Sequence, residues 1–232
     1  MDLRLDAPTR IRSPLVGSEL FGLDALAEAA DQLPWEAVEH HRSIGLPPLL
    51  PDGAVDRVDA DAGDVVRHIA GNGSWVMLTR LAALPGYREV ALRLAGPLQL
   101  AVRAAGERPE RLDLIAFVAS PTSDVPFHLD RAHHVLAQVT GHKTLLVGWY
   151  DDPAERSRQV GRAFAPDRTN PDRLPDRVER FALAPGDAVV LPALTFHAVE
   201  GGPDVSVALT ATVVTDVTSA AVRSFQDGTR GP

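Results

Sequence analysis

From Leu112 onward the chain is a succession of short β-rich runs separated by turn signals. This texture limits the fold more than any other feature. The runs are Leu112–Ala119, Pro126–Leu129, His134–Val139, Lys143–Trp149, Ala188–Leu191 and Val205–Val214. Strands this short and this closely spaced predict a sandwich or barrel. The last run can be read face by face, because strand side chains alternate. Val205, Val207, Leu209, Ala211 and Val213 form a bulky apolar row. Ser206, Ala208, Thr210 and Thr212 form a small, partly polar row, which reads either as a solvent-facing row or as a wall that lines a ligand cavity, the absence of charge favouring the cavity.

The first hundred residues read differently. Residues 1–17 look irregular. Ser18–Gln32 has Leu20, Leu23, Leu26 and Ala27 at helical spacing and stops at Pro34. Trp35–Arg42 reads as a second short helix, and Gly45–Gly53 as a proline-rich loop. Asp61–Ala70 reads as a helix with acidic residues at its start, ended by Gly71-Asn72-Gly73. Ser74–Leu81 reads as a strand, and Tyr87–Ala105 as a helix that Gly96-Pro97 should break or kink. The expected organisation is a mostly helical part, 1–105, packed on a β core, 106–232. That core is interrupted by an Arg-rich insertion, 151–180, carrying Arg156, Arg158, Arg162, Arg168, Arg173, Arg177 and Arg180. The insertion reads either as a solvated surface excursion or as a lid over the barrel mouth. Residues after Asp216 read as a tail or short helix.

Composition excludes several functions. With a net charge of −8 the protein does not attract phosphate backbones or acidic headgroups, so neither a nucleic-acid nor a membrane partner is expected. The N-terminus has no apolar signal region and no run approaches a membrane span, so the cytoplasm is the expected location. The chain has no cysteine, so a metal would have to rest on His, Asp or Glu. Its 23 basic residues are 22 arginines and one lysine, Lys143. A lone lysine in so arginine-rich a chain marks a place where a planar guanidinium does not substitute for a compact ammonium.

The chemistry concentrates between Val125 and Lys143. His128 and Asp130 stand two apart, so in an extended segment they point the same way and can hold one ion. His197 is the candidate third ligand. It follows Pro185-Gly186-Asp187, a strand and a second turn, which would bring it to the end of a neighbouring strand. Two imidazoles and one carboxylate on one face of an ion leave further positions open, as in non-haem Fe(II) oxygenases. Thr140-Gly141 reads as a two-residue hairpin loop that pairs Gln138 with Lys143 and aims Lys143, Gln138, Leu136 and His134 into the barrel. A buried ammonium there needs an anion.

Pro-Phe-His-Leu-Asp, Gln-Val-Thr-Gly-His-Lys, Pro-Gly-Asp-Ala-Val-Val-Leu-Pro and Phe-His-Ala-Val-Glu together resemble the core of the JmjC/cupin-like Fe(II)- and 2-oxoglutarate-dependent hydroxylases, over roughly residues 112–215. The resemblance implies an α+β protein, mainly β with flanking helices, whose core is a double-stranded β-helix or jelly roll. It implies a dioxygenase that couples hydroxylation of a C–H bond to oxidative decarboxylation of 2-oxoglutarate to succinate. It places Fe(II) on His128, Asp130 and His197, and the distal carboxylate of 2-oxoglutarate on Lys143. Thr210, His134 and Gln138 are further candidate co-substrate contacts. Relatives of the asparaginyl-hydroxylase type often carry Asn where this chain has His134, and a hydroxyl residue where it has Val125. Such enzymes use dioxygen and act on protein side chains, amino acids, sugars or small natural products, so a small-molecule or peptide substrate is expected. A homodimer built through the helical N-terminal part is the expectation by analogy. Two other readings stay open at this point: a metal-binding cupin enzyme that uses no 2-oxo acid, and a non-catalytic cupin-like sensor or interaction module.

The remaining histidines and the tryptophans have plainer readings. His133 and His142 read as surface or turn residues, His68 as an ordinary helix residue, and His40 and His41 as structural. Trp35, Trp75 and Trp149 read as core.

Overall fold

The computed structural model describes residues 3–13, 15, 17–43, 45–51, 60–164 and 169–229, with side chains as far as residue 224. Arg168 and the end of the proline-rich loop, 52–53, lie outside them. Eleven strands occur among the described residues: β1 (Thr9–Arg12), β2 (Val38–Arg42), β3 (Ser74–Leu78), β4 (Pro109–Ala119), β5 (Val125–Leu129), β6 (His133–Thr140), β7 (Lys143–Trp149), β8 (Arg177–Leu183), β9 (Asp187–Leu191), β10 (Phe196–Gly201) and β11 (Ser206–Thr215). Five α-helices accompany them: α1 (Leu23–Gln32), α2 (Ala62–Arg67), α3 (Tyr87–Ala104), α4 (Pro153–Phe164) and α5 (Asp216–Thr229). None of the described helices is long and apolar enough to cross a membrane.

The strands form two antiparallel sheets. The larger runs β1-β9-β6-β11-β4-β3-β2 and the smaller β5-β10-β7-β8. From β4 to β11 the chain passes back and forth between the two, so this is a double-stranded β-helix, with α1, α2 and α3 packed on the larger sheet. Alternation along each strand builds two cores. Leu114, Ala116, Val118, Val135, Ala137, Val207, Leu209 and Val213 turn outward, under Leu94 and Leu98 of α3. Leu136, Val189 and Leu191 turn inward, against Leu145, Val147, Phe181 and Leu183 of the smaller sheet. Burial of each such aliphatic side chain contributes about 1.5–3 kcal/mol. The bulky row of β11 lies in the outer core, and its small row, Ala208, Thr210 and Thr212, pairs with Gln138, Leu136 and His134 on the inner face.

Several local expectations are corrected. Residues 9–12 form a strand on β9 instead of an irregular segment. Val38–Arg42 is strand β2, not a helix: Val38 and His40 are buried in alternation, and the segment pairs with β3 along its length. The N-terminal part therefore supplies three strands of the larger sheet and shares its outer core with residues of the β region. Pro97 does not end α3, which runs through to Ala104. Its ring is on the exposed side, while Leu94, Ala95 and Leu98 anchor the opposite face.

The expected hairpin at Thr140-Gly141 does not form. β6 and β7 lie in opposite sheets, and the turn is the corner where the chain crosses between them. Gly141 has φ +67°, and a Cβ there would sit 2.2 Å from the Val205 carbonyl oxygen. The four side chains expected inside the barrel do point inward, but from two facing walls.

The segment 151–180 holds helix α4 and the beginning of β8, the fourth strand of the smaller sheet. Arg158 pairs with Glu155 and Asp172, Arg162 with Asp172, Arg173 with Asp176, Arg177 with Asp151 and Arg180 with Glu200. Val160 and Phe164 of α4 pack with Tyr150 and Phe196, and Leu129 joins them. The insertion is thus a buttress held by ion pairs behind the strands that carry the histidines.

Candidate metal centre

β5 and β10 are neighbours in the smaller sheet, and His128 sits directly opposite His197. Each histidine is flanked by residues of the opposite orientation. Phe127 and Ala198 pack on the outer side with Leu146, and Phe196 and Leu129 pack under α4. Strand alternation then turns both imidazoles inward, with ring centroids 4.1 Å apart. Asp130 follows the last residue of β5, and its backbone carbonyl accepts from Leu194 N–H at 2.8 Å. Its carboxylate lies 3.8 Å from His197 Nε2. One ligand atom from each of His128, Asp130 and His197 falls within 4.8 Å of the others, the spacing of a shared ion. His197 lies near the start of β10, the strand paired with β5.

The two histidines are also oriented for coordination. Nδ1 of His128 donates to Pro126 O at 2.9 Å, and Nδ1 of His197 donates to Thr195 O at 2.9 Å. A backbone carbonyl can only accept, so the Nδ1 atoms carry the protons and each Nε2 keeps its lone pair for the shared space. Burial, and then the neighbouring His128, hold His197 well below the usual histidine pKa. A neutral imidazole is the form that binds metal. Asp130, its side chain 45% exposed, stands at the open side of the group.

Behind this group lies the space between the sheets. His134, one strand pairing from Thr212, has Nδ1 3.6 Å from Asp130 Oδ2, and burial lowers its pKa. Lys143 projects from β7 with 7% exposure. Burial pushes its ammonium down to about 8. No hydrogen-bond or ion-pair partner for it occurs among the described residues. Thr210 Oγ1 and Gln138 Oε1 are buried without a hydrogen-bond partner. Gln138 Nε2 is committed to the crossover corner, donating to Thr140 O at 2.6 Å and to Ser206 Oγ at 3.0 Å. An ammonium and a hydroxyl, both buried without a partner among the described residues and borne on the inner faces of the two sheets, suit a carboxylate. The Gln138 oxygen is an acceptor and suits a donor instead.

Some residues are placed differently from expectation. His133 is buried, not at the surface, and is bonded to Glu107 at 3.1 Å. His142 is exposed beside Asp204, as expected. Trp35 is 68% exposed and is not a core residue, whereas Trp75 and Trp149 are partly buried. The carbonyls of Pro126 and Thr195 were beyond sequence reasoning. Their role depends on the local backbone and not on side-chain type.

The fold is a double-stranded β-helix of the cupin/JmjC type, and it carries a candidate His-Asp-His triad. No family model and no curated protein matches the sequence. Solved structures do match. The chain superposes on the X-ray structure of YcfD from Escherichia coli with a TM-score of 0.60 at 17% identity, covering 97% of this chain and 54% of that one. The same ribosomal oxygenase in complex with cobalt and 2-oxoglutarate matches with a TM-score of 0.59 at 16% identity, over 97% and 53% of the two chains. Its complex with cobalt and succinic acid matches at 0.57 and 17% identity, over 97% and 52%. The chain thus spans about half the length of the structures it resembles.

Proposed function

We propose that this protein is an Fe(II)- and 2-oxoglutarate-dependent dioxygenase that hydroxylates a C–H bond of a small-molecule or peptide substrate, releasing succinate and carbon dioxide. The observation that carries this reading is the presence of two features on the inner face of the smaller sheet. His128, Asp130 and His197 converge with both Nε2 atoms turned to the shared space, and Lys143 is buried on the inner face of the same sheet with no hydrogen-bond or ion-pair partner among the described residues.

His128 Nε2, His197 Nε2 and an Asp130 oxygen would hold the metal, and the mixed nitrogen and oxygen donors suit Fe(II). Bound there, iron with 2-oxoglutarate supplies an oxidant made from dioxygen. The chain's own residues do the rest. Pro126 and Thr195 carbonyls hold the imidazoles in the coordinating tautomer. Lys143 and Thr210 bind the distal carboxylate and so orient the oxo acid toward the metal end. The depressed pKa of Lys143 corresponds to about 3 kcal/mol of unfavourable charging, which a bound carboxylate would offset. Leu136, Leu145 and Val147 exclude water between the two ends. Asp130, on the exposed side, leaves the substrate its approach.

The reading is tested by supplying the purified protein with Fe(II), ascorbate, dioxygen and 2-oxoglutarate and measuring succinate. Metal-dependent succinate that His128→Ala abolishes is the expected result. Absence of both 2-oxoglutarate binding and turnover sinks the proposal. Metal-dependent activity that ignores Lys143→Ala would favour a cupin enzyme without a 2-oxo acid.

A further inference from the structure

A second buried polar group stands behind the loop that leads into His197. Glu107, in the turn between α3 and β4, accepts hydrogen bonds through Oε2 from His133 Nε2 at 3.1 Å and from Thr215 Oγ1 at 2.6 Å. The other nitrogen of His133, Nδ1, faces the backbone N–H of Ala193 at 3.1 Å. The side chains of His133 and Glu107 are 7% and 14% exposed. An amide N–H can only donate, so His133 Nδ1 is an acceptor. The ring proton must then sit on Nε2, where it meets the Glu107 carboxylate. The network assigns the tautomer: Glu107 fixes His133 as an Nε2–H imidazole, and that form alone can hold Ala193.

Ala193 belongs to the four-residue turn 192–195 between β9 and β10. Two contacts tie this turn to the metal site, and a third closes it on itself. Leu194 N–H donates to Asp130 O at 2.8 Å. Thr195 O accepts from His197 Nδ1 at 2.9 Å. Thr195 Oγ1 closes the turn on Pro192 O at 2.7 Å. Leu194 has φ +61°, a left-handed conformation that a leucine adopts only when its surroundings impose it. The turn therefore sets the position of one ligand's backbone and the ring orientation of another, and its own conformation needs an external anchor.

We propose that His133, oriented by Glu107, is the positioning residue that anchors the 192–195 turn and thereby sets the geometry of the metal centre at Asp130 and His197. The inference rests on the metal-binding reading above. It concerns a residue that touches neither metal nor substrate.

The test compares two amide replacements in the full chain, with Co(II) as the probe. In His133→Asn the side-chain oxygen can occupy the place of Nδ1 and accept from Ala193 N–H. In His133→Gln the polar atoms reach the place of Nε2, toward Glu107, and leave Ala193 without an acceptor. Co(II) affinity and the visible absorption of the bound ion are measured for both. His133→Gln is expected to bind Co(II) about 10–100-fold more weakly, with an altered spectrum, and His133→Asn is expected to stay near wild type. Wild-type affinity and spectrum in His133→Gln overturn the inference, and so does an equal loss in both variants. The unmodified protein offers a second measurement should a variant not fold. A long-range ¹H–¹⁵N correlation spectrum is expected to show His133 as the Nε2–H tautomer, and the Nδ1–H tautomer overturns the inference. Failure of the wild type to bind Co(II) at His128, Asp130 and His197 overturns the metal reading itself, and this one with it.

Discussion

His128 and His197 face one another across the β5–β10 pairing, each with its Nδ1 proton given to the carbonyl two residues before it. This symmetry leaves two unprotonated Nε2 atoms in one buried space beside a carboxylate. Burial, and then the neighbouring His128, hold the pKa of His197 low, and the two nitrogens beside the carboxylate form a candidate site for a divalent cation.

Metal should stabilise the protein through this site. A divalent ion that binds only the native state at 100 times its Kd contributes about 2.7 kcal/mol. For a domain of this size that raises Tm by about 5–10 °C. Thermal denaturation with and without Co(II) should show the rise in the wild type. His197→Ala should abolish it.

Lys143 should give 2-oxoglutarate binding a pH dependence. Its pKa in the folded chain is lowered to about 8 from an ordinary value of 10.5. Between these values the unfolded chain keeps the proton and the native chain does not, so the ligand-free protein gains stability as pH rises from about 8 to 10.5. The gain, about 3 kcal/mol, is read as the difference from Lys143→Met. Binding of the dicarboxylate needs the ammonium and follows the opposite course. Its affinity should hold below pH 8 and fall above it, and in Lys143→Met it should be weak throughout.

Thr210 should separate ligand binding from folding. Its buried hydroxyl has no hydrogen-bond partner among the described residues, so Thr210→Val removes an unsatisfied group at constant shape. Chemical denaturation should show stability unchanged or raised by up to about 1 kcal/mol. 2-Oxoglutarate affinity, measured by calorimetry, should drop about 10–150-fold, the worth of one hydrogen bond to a charged group. A stability loss without an affinity loss would remove Thr210 from the co-substrate site.

The crossover corner should tolerate no side chain. Gly141→Ala places a Cβ against the Val205 carbonyl at a left-handed backbone position, so both strain and a clash result. A loss of about 3 kcal/mol or more is expected by urea denaturation. In a simple hairpin between β6 and β7 the cost would be the conformational one alone, about 1 kcal/mol.

The legible parts of this molecule were those with a local signal. The alternation in β11 announced its inner and outer faces, and the His-x-Asp spacing placed two side chains on one side of β5. Lys143 was conspicuous because it is the only lysine. Long-range pairing was less visible. Val38–Arg42 looks helical until β3 supplies its partner, and the turn at Thr140-Gly141 has hairpin chemistry although its strands part to opposite sheets. His133 and Glu107 are 26 residues apart, and nothing local connects them. Phe196–Gly201 escaped notice as a strand because its short apolar stretch is bounded by a turn on one side and glycines on the other.

The central claim is that one chamber holds a metal at His128, Asp130 and His197 and a dicarboxylate at Lys143. Calorimetric titration of 2-oxoglutarate into protein loaded with Mn(II), which resists oxidation, tests both halves together. Binding that requires the metal, and that weakens at least about tenfold in Lys143→Met, is the result the structure predicts. Binding that is indifferent to metal or to Lys143, or no binding at all, would contradict it.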